Sequence, residues 1–370
     1  MASERKIKCV VWDLDNTLWD GILAEGDTLR LRPEALNALK TFDERGILQS
    51  IASRNTHEAA WLQLEAFKLD HYFLYPQIHW NAKSGSLGAI AEKLNIGLDT
   101  FAFIDDQPFE RDEVRCVHPA VRVFDAAETS GLPALPAFMP RFITEDSRRR
   151  RELYQLDANR NQAQAEFKGP EEKFLRTLDL RLALAPAGES DLQRAEELTQ
   201  RTNQLNTTGI PYSYETLRQR MLSPDHLLLI ADLTDRYGDY GKIGLVLLHR
   251  TASAWTIELL LMSCRVMSRG VGGAILTFLR RTCAENGCEL YARFRETERN
   301  RMMYVTYRFA GFSEHGATPD GLQRFKNDLT SIPAYPDYLT LNLAPELQIH
   351  RSALRDGERI NVPVWGDTPP

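Results

Sequence analysis

Residues 8–21 read KCVVWDLDNTLWDG, and this stretch predicts a buried strand that ends in acidic residues. The apolar run from Cys9 to Trp12 forms the strand, and Asp13 and Asp15 follow directly after it. Two carboxylates at this spacing crowd negative charge, and a buried charge without its partner costs about 3–5 kcal/mol. A hard divalent cation prefers carboxylate oxygens and leaves positions open for phosphate, so we expect Mg²⁺ beside this pair.

Three later segments of the chain contribute further polar or charged candidates for the same site. An apolar run ends at Ser53, Lys83 lies within WNAKSGSL, and a second apolar run ends at Asp105 and Asp106 in FAFIDDQPFER. Together with the D-x-D-x-T pattern of residues 13–17, this set resembles the four motifs of the haloacid dehalogenase (HAD) superfamily. The resemblance implies a phosphatase-like domain.

The resemblance also implies a role for each motif residue. Asp13 would attack phosphorus, and Asp15 would protonate the leaving oxygen and then activate water. Ser53 and Lys83 would bind the phosphoryl group and balance its charge. The expected metal ligands are Asp13, Asp15, Asp105 and Asp106, with Glu110 in support.

Strand and helix patterns alternate over residues 6–135, which predicts an α/β fold with a doubly wound parallel sheet. The expected strands lie at residues 7–13, 47–53, 72–75, 101–105 and 120–124. The expected helices lie at residues 33–45, 56–67, 84–94 and 108–115. The motif acids then meet at the carboxyl ends of the strands, where such sheets bind ligands. Asp13, Ser53 and Asp105 are too close in sequence for a large inserted cap, so we expect a capless site.

Composition excludes several classes of protein. A chain of 370 residues exceeds a typical single core, so two domains are expected. Its net charge is −6 and its one basic tract, residues 148–151, lies in a helical pattern, so nucleic acid is not the expected partner. No apolar run of membrane-spanning length is present, so no membrane partner is expected. Five cysteines without zinc-site spacing indicate reduced thiols and a cytoplasmic protein.

The predicted organisation has four parts. A HAD-like domain covers residues 1–135, a linker with a charged bridging helix covers 136–178, a second domain covers 179–345, and a polar tail covers 346–370. The proline-rich residues 131–140, GLPALPAFMP, are interpreted as linker.

The second domain is expected to mix strands and helices. The expected strands lie at residues 180–184, 227–233, 243–249, 254–264 and 289–292. The expected helices lie at residues 189–203, 214–222, 271–285 and 298–310. Residues 255–279 read WTIELLLMSCRVMSRGVGGAILTFL, and they predict a strand, a glycine-rich turn and then an apolar helix. Glycines at a helix start let backbone N–H groups approach a phosphate.

This turn does not follow the G-x-G-x-x-G pattern of dinucleotide-binding folds. It resembles instead the acyl-CoA loop of GNAT acyltransferases, R/Q-x-x-G-x-G/A, at Arg269, Gly272 and Ala274. Further positions resemble the end of that fold, namely Asn300, Tyr307, Gly311 and Phe312. The resemblance implies a C-terminal GNAT-like α+β domain.

A HAD-like domain joined to a GNAT-like domain resembles the FkbH-like family over residues 6–315. The blocks that carry the resemblance are KCVVWDLDNTLWDG, NIGLDTFAFIDDQPFER, RTNQLNTTG, DRYGDYGKIG and MSCRVMSRGV. It implies a glyceryltransferase/phosphatase that takes a small phosphorylated C3 acyl donor, 1,3-bisphosphoglycerate, and removes phosphate. The glyceryl unit is then loaded as a thioester onto the phosphopantetheine arm of an acyl carrier protein, for polyketide-type biosynthesis.

Acyl transfer to a thiol suggests a cysteine intermediate, and Cys264 is the candidate. It ends the predicted strand beside Arg265 and Arg269, whose charges would favour the thiolate and attract an anionic acyl phosphate. A buried packing role is the other interpretation of Cys264. Cys9 is the rival nucleophile, although it lies deeper in its strand than the acids. Asn203 and Asn206 are expected to line a groove for the carrier arm, unless they only satisfy the backbone of their own turn.

Two alternatives stay open. Beside the glyceryl-loading enzyme, one alternative is a HAD phosphatase whose GNAT-like domain only docks a carrier, and the other is an N-acyltransferase that uses acyl-CoA. FkbH-like proteins carry Glu at the position of Gly272, so coenzyme A itself stays possible as the thiol carrier.

Overall fold

In a computed structural model, the chain divides into two compact units between Ala158 and Asn159. The structure describes residues 6–352. Each unit has its own sheet, one of five strands and one of eight. This arrangement confirms the α/β fold class with two domains.

The first unit is built on a parallel sheet with the strand order β5-β4-β1-β6-β7. Its strands are β1 (Cys9–Trp12), β4 (Leu48–Ser53), β5 (Gln77–Ile78), β6 (Phe101–Asp105) and β7 (Arg122–Asp125). A separate antiparallel hairpin, β2 (Trp19–Asp20) and β3 (Arg30–Leu31), follows β1. Because β1 pairs with both β4 and β6, the carboxyl ends of these three strands lie side by side.

Helices cover both faces of this sheet, as in a doubly wound fold. They are α1 (Pro33–Glu44), α2 (His57–Ala66), α3 (Lys83–Leu94) and α4 (Pro108–Val117). One buried cluster joins Trp12 and Ile104 to α1 and α2, and the other joins Val11 and Phe103 to α3 and α4. The alternation of neighbouring strand residues between the two clusters follows the period-two geometry of a strand.

The predicted strand at residues 72–75 is wrong in its position. Residues 70–72 form a 3-10 turn, and only Phe73 makes an isolated bridge, to Gln49, before β5 begins at Gln77. Tyr75 has a φ of 52° and Pro76 has no N–H group, so the chain cannot continue a strand ladder through them.

The linker interpretation of residues 131–140 is also wrong. Leu132, Ala137 and Phe138 are buried in the first unit, and the Phe138 ring stacks on Phe42 with 4.9 Å between ring centres. Short 3-10 helices at residues 126–134 and 136–138 carry these side chains. Proline here marks 3-10 geometry in a packed segment, because Pro fixes φ and still allows a tight turn.

Two charged helices follow, α5 (Glu145–Arg148) and α6 (Arg150–Glu166), and then α7 (Glu171–Thr177). Thr144 caps α5 by accepting a hydrogen bond from the backbone N–H of Ser147. Within the second unit, Arg160 of α6 is fully buried and forms a two-pronged ion pair with Asp235 at 2.9 and 3.0 Å. Its guanidinium also lies 3.6 Å from the ring centre of Tyr240.

The second unit has a mixed sheet with the order β13-β14-β12-β11-β10-β9-β8-β15. The strands that match predicted segments are β8 (Leu180–Pro186), β9 (His226–Asp235), β10 (Gly238–Arg250), β11 (Ala254–Met262) and β12 (Glu289–Phe294). Three further strands were missed, β13 (Phe312–Ala317), β14 (Gln323–Asn327) and β15 (Leu339–Leu343). Its helices are α8 (Leu192–Arg201), α9 (Tyr214–Met221), α10 (Val271–Glu285), α11 (Arg301–Phe309) and α12 (Pro345–Ser352).

Strands β11 and β12 diverge after Ile257, where their parallel pairing ends. Residues 205–208, which we call the wedge segment, fill the gap between them. Thr207 donates its N–H to the Leu260 carbonyl at 3.0 Å and accepts the Leu260 N–H on its hydroxyl at 3.1 Å. On the other side, the Arg295 N–H donates to the Thr207 carbonyl at 3.0 Å. The backbone groups exposed by the divergence are therefore partly satisfied from within the chain.

Among residues 6–352, no helix combines the length and the apolar character needed to cross a membrane.

Candidate active site

Lys83 is the centre of the candidate site in the first unit. It is the first residue of α3, and its side chain is 3% exposed. The Lys83 ammonium lies 2.7 Å from Asp13 Oδ1 and 2.6 Å from Asp105 Oδ2, and it also contacts the Glu110 carboxylate. The site thus gathers three carboxylates around one ammonium group, at the carboxyl ends of β1 and β6.

Burial and charge shift the pKa values of these groups. Burial raises the pKa of Asp13 against the opposing effect of Lys83. Burial, together with the nearby Asp13 carboxylate, raises the pKa of Asp105 to about 7. For Lys83, burial acts against the ammonium, but Asp13, Asp105 and Glu110 outweigh it and raise the pKa. The ammonium therefore stays charged, and the site carries negative charge in excess of it.

This donor set fits a divalent cation. Carboxylate oxygens of Asp13, Asp105 and Glu110 all lie within 4.8 Å of one another. Arg54 Nε lies 3.0 Å from Glu110 Oε1, so this guanidinium balances the charge of Glu110. Lys83 then balances one of the two aspartates, and one negative charge is left on the Asp13–Asp105 pair. Oxygen donors with uncompensated charge are the ligands of a hard cation such as Mg²⁺.

The group contains two of the four expected metal ligands, Asp13 and Asp105, together with Glu110, which was expected in support. Metal binding by Asp15 and Asp106 stays a prediction. Asp106 accepts a hydrogen bond from the side chain of Gln107 at 2.6 Å, and burial raises its pKa. Glu110 reaches the group because Pro108 starts α4, which brings the first turn of that helix back towards the end of β6.

Thr17, the last residue of the D-x-D-x-T pattern, connects two parts of the site. Its hydroxyl donates to Asp13 Oδ2 at 3.4 Å and accepts the backbone N–H of Asp106 at 3.1 Å. The side chain is fully buried. Thr17 therefore connects the acidic loop after β6 to Asp13 after β1.

Asp15 is connected to Ser53 through Asn55, and its carboxylate accepts three hydrogen bonds. Its Oδ1 accepts from the Trp19 indole at 2.8 Å and from the Leu23 N–H at 3.2 Å, while its Oδ2 accepts from Asn55 Nδ2 at 2.9 Å. Asn55 Nδ2 also contacts Ser53 Oγ at 3.3 Å. Sequence reasoning missed Asn55, although it follows Ser53 at the same spacing that separates Asp13 and Asp15.

In the second unit, Cys264 begins a 3-10 turn that directly follows β11. Its side chain is partly exposed, as a nucleophile requires, whereas Cys9 is fully buried and burial raises the pKa of its thiol. Arg265 is buried next to Cys264. Gly270, with a φ of 76°, caps the start of α10.

Arg269 points into the interior of the second unit. It is 3% exposed, it donates to Gln164 Oε1 at 2.8 Å, and its guanidinium lies 5.9 Å from the Phe174 ring centre. Its predicted contact with an anionic donor stays a prediction, and in this structure its partners are the side chains of α6 and α7.

The two asparagines expected to line a groove differ in their surroundings. Asn203 is exposed, whereas Asn206 is fully buried. Asn206 Oδ1 accepts from the N–H groups of Thr208 and Gly209 at 3.1 and 2.8 Å, and its Nδ2 donates to the Thr202 carbonyl at 3.2 Å. All three hydrogen bonds lie within the loop that contains Asn206, so this side chain stabilises the conformation of the wedge segment.

Comparisons with known proteins agree with this description. No family model matches the chain. Human magnesium-dependent phosphatase 1 is 29% identical over 135 residues, a match that covers 30% of this chain and 77% of that protein. A solved phosphatase-containing part of a Bacteroides fragilis protein in complex with Mg is 28% identical with a TM-score of 0.30. That match covers 37% of this chain and 42% of the solved one, so the present chain spans less than half of its length.

The chain also has solved neighbours among acetyltransferases. The ribosomal-protein-S18-alanine N-acetyltransferase of Escherichia coli is 18% identical, with a TM-score of 0.31, and the match covers 39% of this chain and 90% of that one. The chain is thus similar in part to a magnesium-dependent phosphatase, and the motif residues of the first unit lie at the strand ends where the HAD resemblance predicts them. Around β11 and α10, the second unit has the strand, the glycine-rich turn and the helix that the sequence predicts.

Proposed function

We propose that this protein is a magnesium-dependent phosphatase and glyceryltransferase similar to FkbH-like proteins. It would dephosphorylate the donor 1,3-bisphosphoglycerate and load the glyceryl unit onto an acyl carrier protein. The observation that carries the phosphatase part is the buried group of Asp13, Asp105 and Glu110 around Lys83. The transferase part is supported by Cys264, a partly exposed thiol between β11 and the glycine-rich start of α10.

Phosphate removal would use four side chains of the first unit. The Asp13 carboxylate attacks phosphorus, the bond from phosphorus to the leaving oxygen breaks, and Asp15 gives that oxygen a proton. Water then attacks the aspartyl-phosphate while Asp15 takes its proton, which releases inorganic phosphate. Lys83 and Ser53 bind the phosphoryl oxygens, where fixed charges and donors contribute most of the catalysis.

Asp13, Asp105 and Glu110 would hold the Mg²⁺ ion, which neutralises charge on the phosphoryl oxygens when bound. The human relative that is named for its magnesium dependence supports this choice of metal. Chelation with EDTA should therefore abolish phosphate release, and added Mg²⁺ should restore it.

Acyl transfer would begin at Cys264. The thiolate attacks the acyl carbon of the donor, the bond from that carbon to the phosphate oxygen breaks, and inorganic phosphate leaves. The thiol of the carrier's phosphopantetheine arm then attacks the Cys264 thioester, the bond from the acyl carbon to the Cys264 sulfur breaks, and the proton of the attacking thiol passes to the Cys264 sulfur as the glyceryl unit is transferred. Both steps exchange one acyl bond for another, so no further reactant is needed.

One observation favours a second candidate function, a HAD phosphatase whose GNAT-like unit only docks a carrier. Arg269 was expected to attract the anionic donor beside Cys264, but its guanidinium is buried against Gln164 and Phe174. An acyl-CoA-dependent N-acyltransferase is the remaining alternative, and calorimetry with coenzyme A and with a carrier protein separates it from the other two.

Intact-protein mass spectrometry after mixing with 1,3-bisphosphoglycerate and Mg²⁺ tests the proposal. We expect a glyceryl or phosphoglyceryl adduct that is lost in Cys264→Ala and kept in Cys116→Ala, which removes an exposed cysteine of the first unit as a control. The adduct mass shows whether phosphate leaves before or after acyl transfer. Phosphate release without any adduct would refute the covalent role of Cys264 and leave the docking function.

A further inference from the structure

Asp15 differs from the three carboxylates that surround Lys83, because its hydrogen-bond donors lie elsewhere in the candidate active site. Both of its oxygens accept hydrogen bonds, from Trp19 and the Leu23 N–H on one side and from Asn55 on the other. All three donors are neutral groups. A carboxylate with donors on both oxygens has a fixed orientation, because rotation about its terminal bond would break several hydrogen bonds at once.

Among these donors, Asn55 has a position that the others lack. Its side-chain nitrogen lies 2.9 Å from Asp15 Oδ2 and 3.3 Å from Ser53 Oγ, so one amide group spans the acid–base residue and the phosphate-binding hydroxyl. Asn55 is 2% exposed, and this burial keeps water from replacing the amide. Both N–H bonds of an amide nitrogen can donate, so the two contacts do not compete.

We propose that Asn55 is a positioning residue that aims the Asp15 carboxyl at the leaving oxygen of a substrate whose phosphoryl group is bound at Ser53. The inference rests on the proposed phosphatase function and adds a residue to it. Asn55 acts through Asp15, and it takes no proton itself.

The chemistry of the leaving group provides the test. When phosphate leaves an alkyl alcohol, the alkoxide oxygen is a poor leaving group, and the proton from Asp15 must arrive as the bond from phosphorus to oxygen breaks. When phosphate leaves 4-nitrophenol, the phenolate is stable without a proton, and the same step proceeds without the aid of Asp15. A mispositioned Asp15 therefore slows the first substrate selectively, whereas general damage to the site slows both.

The experiment compares kcat/KM for 3-phosphoglycerate and for 4-nitrophenyl phosphate in the full-length, Mg²⁺-loaded protein. This ratio reports the steps up to phosphoryl transfer to Asp13, so hydrolysis of the aspartyl-phosphate does not enter it. For Asn55→Ala we expect a loss of about 100-fold with 3-phosphoglycerate, at the lower end of the range for acid–base catalysis. With 4-nitrophenyl phosphate we expect a loss below roughly 3-fold, because that substrate needs no proton donor.

Three further variants separate positioning from folding. Asn55→Asp keeps the size of the side chain but replaces the donor by a second carboxylate, so it should be at least as impaired as Asn55→Ala with 3-phosphoglycerate. Asp15→Asn should show the same selectivity, and Asp15→Asn combined with Asn55→Ala should be no worse than Asp15→Asn alone, because both changes remove one function. If Asn55→Ala does not fold, Trp19→Phe removes the donor to the other oxygen of Asp15, and it should give the same selectivity with a smaller loss.

The outcomes are distinct. Equal losses for both substrates, or a double variant at least 10-fold worse than Asp15→Asn, would overturn the positioning role of Asn55 while leaving the phosphatase intact. A wild-type protein that hydrolyses neither substrate in Mg²⁺ would overturn the proposed phosphatase function, and the inference would fall with it.

Discussion

Replacing Lys83 by Met should destabilise the first unit strongly, because it removes the single ammonium that Asp13, Asp105 and Glu110 share. Met keeps the length and apolar stem of the side chain, so the change isolates the charge. Breaking one buried ion pair costs about 3–5 kcal/mol. With three carboxylates left around one apolar side chain, we expect a loss near the upper end, about 5 kcal/mol, at pH 8 without divalent cations.

The loss should depend on pH and on Mg²⁺. Lowering the pH protonates Asp105, whose pKa burial raises to about 7, and each proton added relieves one buried charge. The loss should therefore be smaller at pH 6 than at pH 8. Mg²⁺ should reduce it as well, because the cation binds the same oxygens and supplies positive charge.

Thermal unfolding followed by tryptophan fluorescence measures this effect. Trp12 and Trp19 are fully buried in the first unit and report its unfolding. For a unit of this size, about 5 kcal/mol corresponds to a decrease of roughly 10–20 °C in Tm. Lys93→Met, an exposed lysine at the other end of the same helix, is the matched control and should change Tm far less. A Tm for Lys83→Met within about 2 °C of wild type at pH 8 in EDTA would refute the electrostatic account.

Two other predictions concern pH and the second unit. In EDTA, the Tm of the wild-type protein should fall as pH rises from 5 to 7, because the raised pKa of Asp105 makes the folded state bind more protons than the unfolded state in this range. Asp105→Asn should lack this component, and stabilisation by Mg²⁺ should grow with pH, since the metal needs ionised ligands. Arg160→Met should destabilise the second unit by about 3 kcal/mol in urea unfolding, because Asp235 loses its buried partner and keeps only neutral donors. Arg236→Met, an exposed neighbour, is the control, and equal effects of the two changes would contradict the buried-pair explanation.

The central elements of the candidate active site were predictable because strand geometry places them. Asp13, Ser53 and Asp105 each lie at or just after the end of a strand, and parallel strands bring such positions to one edge of the sheet. An apolar run with a polar end is visible in the sequence, so these residues could be identified without coordinates. Lys83 could be identified only through the resemblance to known motifs, since nothing in its neighbourhood distinguishes it from a surface lysine.

The rest depended on contacts that sequence spacing does not encode. Glu110 was expected only in support of the metal site, and its place beside Asp13 and Asp105 depends on the helix that begins at Pro108. Arg269 looked like an exposed cation beside the glycine-rich turn, but its partner Gln164 is 105 residues away in the chain. Strands β13 and β14 are short and partly exposed, and their sequences lack the apolar alternation that predicts a strand. Strand β15 does alternate, as LTLNL, but it is only five residues long and lies outside the motifs that guided the prediction.

The wedge segment has a consequence for how the second unit folds. Thr207 bonds to Leu260 across 53 residues of chain, and Thr208 accepts from Arg295 across 87. Such contacts form only after both partner strands are in place, because closing long loops costs entropy before any bond is gained. Until then, the diverging ends of β11 and β12 expose unpaired N–H and C=O groups, which are a template for pairing with another chain. Docking of the wedge segment therefore also covers backbone groups at which this unit could pair with another chain.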